Sequence, residues 1–278
     1  MAGESHPVPS EKFCRTALNK TGIPGYRYCL NPYIGCAHGC LYCYASFMSS
    51  FAGRPRPWGK FVDAKVNFAA VLEKQLKGSR LLAGRVIVGT VTDPYQPAEA
   101  VYGLTRSSLE VLIKYPCWEI DILTKSDLVV RDISLIQKLS RCSVGFTVTT
   151  VDQGITRILE PGAPPPSQRL AAAGQLASAG IPVWVFIAPV LPGVGDTTLA
   201  LSNLFSSVAG SGVKEVWVDR LNPYPTVMGR LKRVYRLHFP AAFTALEVYL
   251  NNPANYMVQL RKVLLEISKS FGCRIYFI

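Results

Sequence analysis

The chain is short of acids: eighteen Asp and Glu stand against thirty Lys and Arg, a formal charge of +12 over 278 residues. It also lacks any run of eighteen uncharged apolar residues, so no stretch reads as a membrane span. Met1 to Ser10 has the polar, proline-bearing character of a frayed terminus and not that of a signal peptide. The expectation is a cytoplasmic protein with no membrane contact. No self-similarity of the solenoid kind is visible.

What is missing around the cysteines narrows the chemistry. Eight cysteines without a secretion signal do not read as a disulfide scaffold. Cys36, Cys40 and Cys43 form a C-x3-C-x2-C loop in which Gly35 and Gly39 let a short segment turn three thiolates toward one centre. After position 43 no second C-x2-C or His pair completes the four-ligand set of a structural zinc site. Thiolates also hold iron–sulfur clusters, and three of them on a four-iron cubane leave one iron open. Zinc, a disulfide and unligated thiols are the alternatives. Cys14, Cys29, Cys117, Cys142 and Cys273 show no convergent spacing and read as buried reduced thiols.

With 49 % hydrophobic residues the chain can bury a core as one α/β barrel-like domain or two small domains. Strands are expected over Tyr28 to Ile34, Arg85 to Thr90, Glu119 to Thr124, Cys142 to Thr150, Val183 to Ala188 and Glu215 to Asp219. Helices are expected from Asn67 to Gly78, Thr105 to Lys114, Asp132 to Ser140, over 167–179, from Thr197 with Asp196 as its cap, and near 254–270, before a last strand at 274–277. Six strand-plus-helix units point to a right-handed parallel sheet that can curve into an open barrel. The division is a lead-in over 1–27, a core over 28–221 and an extension over 222–278.

Chemistry in such a sheet sits where strands end. Thr92 and Asp93 end the second strand and could receive an ammonium group, or form an ordinary Asp-Pro turn. Lys125 ends the third and could pair with a carboxylate, or lie on the surface. Thr147 and Thr149 put hydroxyls on one face of the fourth, and Pro189 to Gly193 after the fifth could sandwich a flat ring. Two basic stretches with aromatics, Arg54 to Lys60 and Gly229 to Arg236, read either as nucleic-acid contacts or as solvated surface, the first also as a cover for the cysteine loop. The net charge favours an anionic partner such as nucleic acid.

The cysteine loop followed by an aromatic resembles the radical S-adenosylmethionine (SAM) enzymes. The longer text NPYIGC-x3-C-x2-CYA, with T-D-P-Y-Q-P at 92–97, is similar to the branch related to spore photoproduct lyase. The resemblance implies an open partial (β/α)6 barrel with a C-terminal extension, a [4Fe-4S] cluster on Cys36, Cys40 and Cys43, and SAM on the open iron. It further implies an electron donor such as flavodoxin or ferredoxin, and a lyase- or transferase-type enzyme that cleaves SAM to a 5′-deoxyadenosyl radical, acting on nucleic acid or a nucleotide, or else on a peptide or small metabolite. A metal-cluster protein that binds nucleic acid without catalysis is the rival from another class. By the same resemblance Thr92 meets the SAM amino group, Lys125 its carboxylate, and Tyr44 touches SAM or relays a radical. Glu160 pairs with Arg157 or meets the ribose. One departure stands out: where spore photoproduct lyase has a hydrogen-donating cysteine on its second strand, this chain has Thr90, whose O–H bond is too strong for that role.

Overall fold

The computed structural model describes residues 6–50, 56–78 and 82–278. Its centre is an eight-stranded sheet. In chain order its strands are β2 (Leu18–Lys20), β3 (Tyr28–Leu30), β6 (Arg85–Val88), β7 (Glu119–Thr124), β8 (Cys142–Thr147), β9 (Val183–Ile187), β10 (Glu215–Val218) and β11 (Arg274–Phe277). Their spatial order is β11-β10-β9-β8-β7-β6-β3-β2, with every pairing parallel except the antiparallel β2–β3 edge. Among the described residues no pairing joins the two edges, so the sheet is an open, partial barrel.

Period-two patterning explains its two faces. Val86, Ile120, Ile122, Val144, Phe146, Val185, Val216 and Val218 are buried together with Leu109, Leu112, Leu170, Leu176, Leu204, Phe205 and Leu264. Those partners lie on α3 (Leu104–Ile113), α6 (Pro166–Ser178), α7 (Thr198–Gly210) and α10 (Pro253–Ser270), the helices that follow the strands or close the chain. The opposite face carries Arg85, Asp121, Ser143, Trp184 and Trp217 and lines a groove. Six parallel strands, β3 and β6 to β10, form the core that the resemblance implied.

Several local expectations are revised. The first strand is broken after Leu30, because Pro32 has no N–H to offer a ladder and the Asn31 side chain turns to β6, accepting from the Thr90 and Val91 N–H groups at 2.9 and 3.1 Å. The chain resumes as β4 (Tyr33–Gly35) in a separate sheet with β1 (Ser10–Lys12) and β5 (Val62–Lys65), ordered β1-β5-β4. The lead-in therefore contains two strands and is not irregular throughout. Of the terminal Met1 to Ser10 reading, residues 1–5 lie outside the described residues. Between Asp127 and Ile136 a 3-10 turn and the four-residue α4 (Ile133–Ile136) replace the longer helix expected to Ser140. Thr197, not Asp196, caps α7, accepting from the Ala200 N–H at 3.2 Å, while Asp196 accepts from Gly193 N–H at 2.6 Å and from the Tyr256 hydroxyl. The remaining helices are α1 (Phe68–Lys77), α2 (Ala98–Tyr102), α5 (Gln153–Leu159), α8 (Pro225–His238) and α9 (Pro240–Asn251).

Gly35 is where β4 hands the chain to the cysteine loop. Its φ is +79°, and a Cβ there would stand 2.4 Å from the Phe61 carbonyl oxygen. Gly25 has a similar φ of +82° with nothing within 4 Å. Gly25→Ala is expected to lower stability by about 1 kcal/mol from backbone strain alone, and Gly35→Ala by about 3 kcal/mol or more because β4 must also shift. Equal losses of urea midpoint for the two variants would show that the close approach at Gly35 carries no weight.

Candidate active site

Cys36, Cys40, Cys43, Tyr44, Thr92, Asp93, Lys125 and Thr147 line one cavity of about 170 Å³ at the carboxyl ends of β6 to β10. The strand ends thus bring together eight of the ten residues nominated from sequence. Thr149 and Glu160 are not on that wall; they lie buried behind Tyr42.

Two buried carboxylates fix the loop. Asp93 accepts from the Tyr95 N–H at 2.9 Å, the Thr124 hydroxyl at 2.6 Å and the Lys125 N–H at 2.7 Å, with His38 Nδ1 3.4 Å away. Burial alone would raise this carboxyl, but His38, the Thr124 hydroxyl and the Lys125 N–H hold it down at about 2. Glu160 accepts from the Tyr42 hydroxyl, from Thr149 Oγ1 at 3.1 Å and from the Arg169 guanidinium. Burial again acts upward, and Arg169 with Lys125 outweighs it, so Glu160 sits below the usual carboxylate range. His38 and Tyr42 belong to the cysteine loop itself, so each carboxylate grips it at a different point.

The ion-pair partner of Glu160 is Arg169, on α6. Arg157, expected from sequence, is exposed on α5. The signal for Arg169 was its register: it lies on the stripe of Pro166, Ala173 and Leu176, all buried, where a cation needs a buried partner. Gln96 is a second residue that sequence reasoning passed over, although it lies in the quoted 92–97 motif. Its Oε1 accepts from the Ala37 N–H at 2.8 Å and its Nε2 donates to Thr92 Oγ1 at 2.9 Å, while that hydroxyl donates to the Gly35 carbonyl at 2.5 Å.

Each basic stretch sends one arginine inward, Arg56 in the first and Arg230 in the second. Arg54 and Pro55 lie outside the described residues. Arg56 makes two 2.7 Å bonds to Asp63 and lies 4.1 Å over the Phe61 ring, and Trp58 lines the cysteine cavity, which makes this segment a cover. In the second stretch Arg230 donates to Ser46 Oγ at 2.8 Å, whereas Arg233 and Arg236 are exposed, Arg236 with its guanidinium 4.9 Å over the Phe243 ring.

The residues fit an iron–sulfur cluster better than a lone ion. Among the described residues no three Cys, His, Asp or Glu side chains converge on a single ion, whereas the three thiols share one cavity wall, as a multi-iron cluster requires of its ligands. Burial pushes all three thiols up, Cys40 to about 12; the Asp93 carboxylate adds to this at Cys36, and Lys125 opposes it at Cys40 and Cys43. A cationic centre would reverse that balance. Two buried nitrogens of residues on the same wall, His38 Nε2 and Trp58 Nε1, have no partner among the described residues. Lys125 points its ammonium over the Tyr42 ring at 5.6 Å, and Tyr44 donates to the Thr90 carbonyl at 2.7 Å, which holds its ring as a side wall.

An open parallel α/β barrel with a three-cysteine loop at the carboxyl ends of its strands defines a class of enzymes that generate radicals from a sulfonium cofactor. The chain belongs to the radical SAM superfamily, whose family model matches residues 30–202. An uncharacterized protein of Methanocaldococcus jannaschii is 36 % identical over 179 residues, 64 % of this chain and 66 % of that one. One of Mycobacterium tuberculosis is 31 % identical over 260 residues, 81 % of this chain and 73 % of the other. A radical SAM Nalpha-GlyT isomerase of Pseudomonas phage M6 is 27 % identical across 77 % of this chain and 44 % of its own length. In fold, spore photoproduct lyase complexed with dinucleoside spore photoproduct superposes with a TM-score of 0.71 at 17 % identity, covering 96 % of this chain and 82 % of that one. No described helix is long and apolar enough to cross a membrane.

Breaking the buried pair from one side should cost more than removing it. Arg169→Met strands the Glu160 charge and is expected to lower stability by about 3–5 kcal/mol, with Arg169→Met/Glu160→Leu recovering a large part of that loss. Chemical denaturation of the two variants checks this; an identical loss in both would contradict the buried charge as its cause.

Proposed function

We propose that Cys36, Cys40 and Cys43 hold a [4Fe-4S] cluster, that SAM occupies the cavity beside it, and that the enzyme takes a hydrogen atom from a nucleic-acid or nucleotide substrate. The observation that supports this reading is the common wall: Cys36, Cys40, Cys43, Thr92 and Lys125 line one cavity at the strand ends. When bound, the reduced cluster and SAM together supply a 5′-deoxyadenosyl radical able to attack a C–H bond.

The chain's own groups bind and position. Lys125 offers its ammonium to the SAM carboxylate, and the Thr92 oxygen, which accepts from Gln96, keeps a second lone pair for the SAM amino group. Asp93 acts through others, since its bonds to the Lys125 N–H and to His38 set the strand end and the loop. Thr147 adds a hydroxyl to the wall, while Thr149 and Glu160 act from behind Tyr42. Trp58 and Tyr44 close the sides, which limits access of water. Thr90 donates no hydrogen atom in this scheme. The nucleic-acid assignment is supported by the +12 charge, and in this reading the electron comes from a donor such as flavodoxin or ferredoxin, which a chemical reductant replaces in the assay below.

Anaerobic reconstitution with iron, sulfide, reductant and SAM is expected to yield 5′-deoxyadenosine with the native chain and none above background with Cys40→Ala. Equal yields from the two would remove the cluster from the chemistry. Binding of DNA or RNA should weaken steeply with salt, and a flat dependence would remove the nucleic-acid assignment.

A further inference from the structure

Beneath the cysteine cavity the barrel is hollow. A groove of about 1330 Å³ runs along the concave face of the sheet, shares Tyr44, Thr90, Leu123, Phe186, Asp219 and Asn222 with that cavity, and reaches Arg85 and Glu119 at the far strand ends. Its wall is aromatic. Trp184 meets Phe186 edge-on at 6.0 Å and Trp217 at 6.4 Å, and Trp217 stacks on Tyr276 at 4.7 Å. Gly145 permits this wall, because a Cβ there would stand 2.4 Å from the Trp184 ring.

The groove's charge is opposite to that of the chain. Glu119, Asp121, Glu215 and Asp219 face it against Arg85 and Arg141, in a protein of net charge +12. Three of the acids are engaged. Asp121 accepts from Arg85 at 2.6 Å and from the Ser143 hydroxyl, Glu119 lies 3.5 Å from Arg85, and Glu215 accepts from the Trp217 indole at 2.8 Å with Arg274 at 3.6 Å. Asp219 differs. It follows β10, faces both cavities, and accepts only the Arg220 N–H at 2.7 Å, with no ion pair among the described residues. Burial pushes its carboxyl up, against the nearby Arg220 charge and that N–H bond. At the same junction the rings of Tyr44 and Tyr224 stand 6.4 Å apart.

We propose that the part of the substrate delivered to the cysteine cavity carries an amine, held as a cation by Asp219 beside Tyr44 and Tyr224, with its flat or aliphatic body on Trp184, Phe186 and Trp217. A half-buried carboxylate without an ion pair attracts a cation more strongly than a solvated one does, and aromatic faces add to the attraction. A phosphate or carboxylate in the same place would meet like charge. The basic exterior is left to bind any phosphates the substrate carries. This deepens the function proposed above and rests on it for the identity of the reacting centre, but not for the preference for an amine.

The test measures binding of three shape-matched probes to the anaerobically reconstituted full chain, with and without SAM, by calorimetry: 2-phenylethylamine, 2-phenylethanol and 3-phenylpropionate. The amine is expected to bind at least tenfold more tightly than the alcohol, and the carboxylate most weakly. Asp219→Asn should bring the amine to the level of the alcohol while leaving the alcohol unchanged, and Trp217→Ala should weaken amine and alcohol together. Equal affinity for the three, no saturable binding of any, or an unchanged amine preference in Asp219→Asn would overturn the proposal. An amine preference without 5′-deoxyadenosine formation would count against the radical reading alone, and 5′-deoxyadenosine formation without the preference against this inference alone.

Discussion

The Glu160 carboxylate, closed off from water between the cysteine loop and the fourth core strand, is the contact on which the site's geometry depends. It gathers the Tyr42 hydroxyl from the loop, Thr149 from the end of β8 and Arg169 from α6. The same guanidinium donates to the Thr147 and Pro164 carbonyls at 3.0 and 2.8 Å, so one side chain joins helix, strand and intervening turn. A charge this deep is tolerated only when its partners are complete. The geometry is therefore close to all-or-none: the loop is seated when the network is whole. Asp93 does the corresponding work on the other flank through His38 and the Lys125 N–H. Between the two carboxylates the three cysteines have little freedom, which a rigid cluster requires of its ligands.

Charge is sorted by depth. Cations lie mainly outside or are turned inward to specific acceptors, as Arg56 is to Asp63 and Arg230 to Ser46. The hollow of the barrel holds aromatic rings and most of its charge as carboxylates. In the proposed function this arrangement separates two tasks, attraction of an anionic partner over the surface and selection of a neutral or cationic group within.

Much of this was legible in the sequence because it is written in local pattern. The parallel strands β6 to β10 follow from β-branched runs cut by proline or glycine, and the cysteine loop carried the resemblance to the family to which the chain belongs. What was not legible came from contacts between distant segments. The break after Leu30 depends on Asn31 reaching Thr90, fifty-nine residues on. Arg169 replaces Arg157 as the partner of Glu160 because α6 turns its buried stripe toward β8, and a residue nearer in sequence points to solvent. The basic stretches showed their charge but not their direction. The inward turn of Arg230 depends on where α8 meets the loop.

The claim beneath all of this is that the seated loop leaves one corner of a four-iron cluster for SAM. Electron paramagnetic resonance of the anaerobically reduced protein, titrated with SAM, tests it most directly. The account predicts a four-iron cluster signal that SAM perturbs saturably. A signal indifferent to SAM, or a metal ligated fully by the protein, would contradict it.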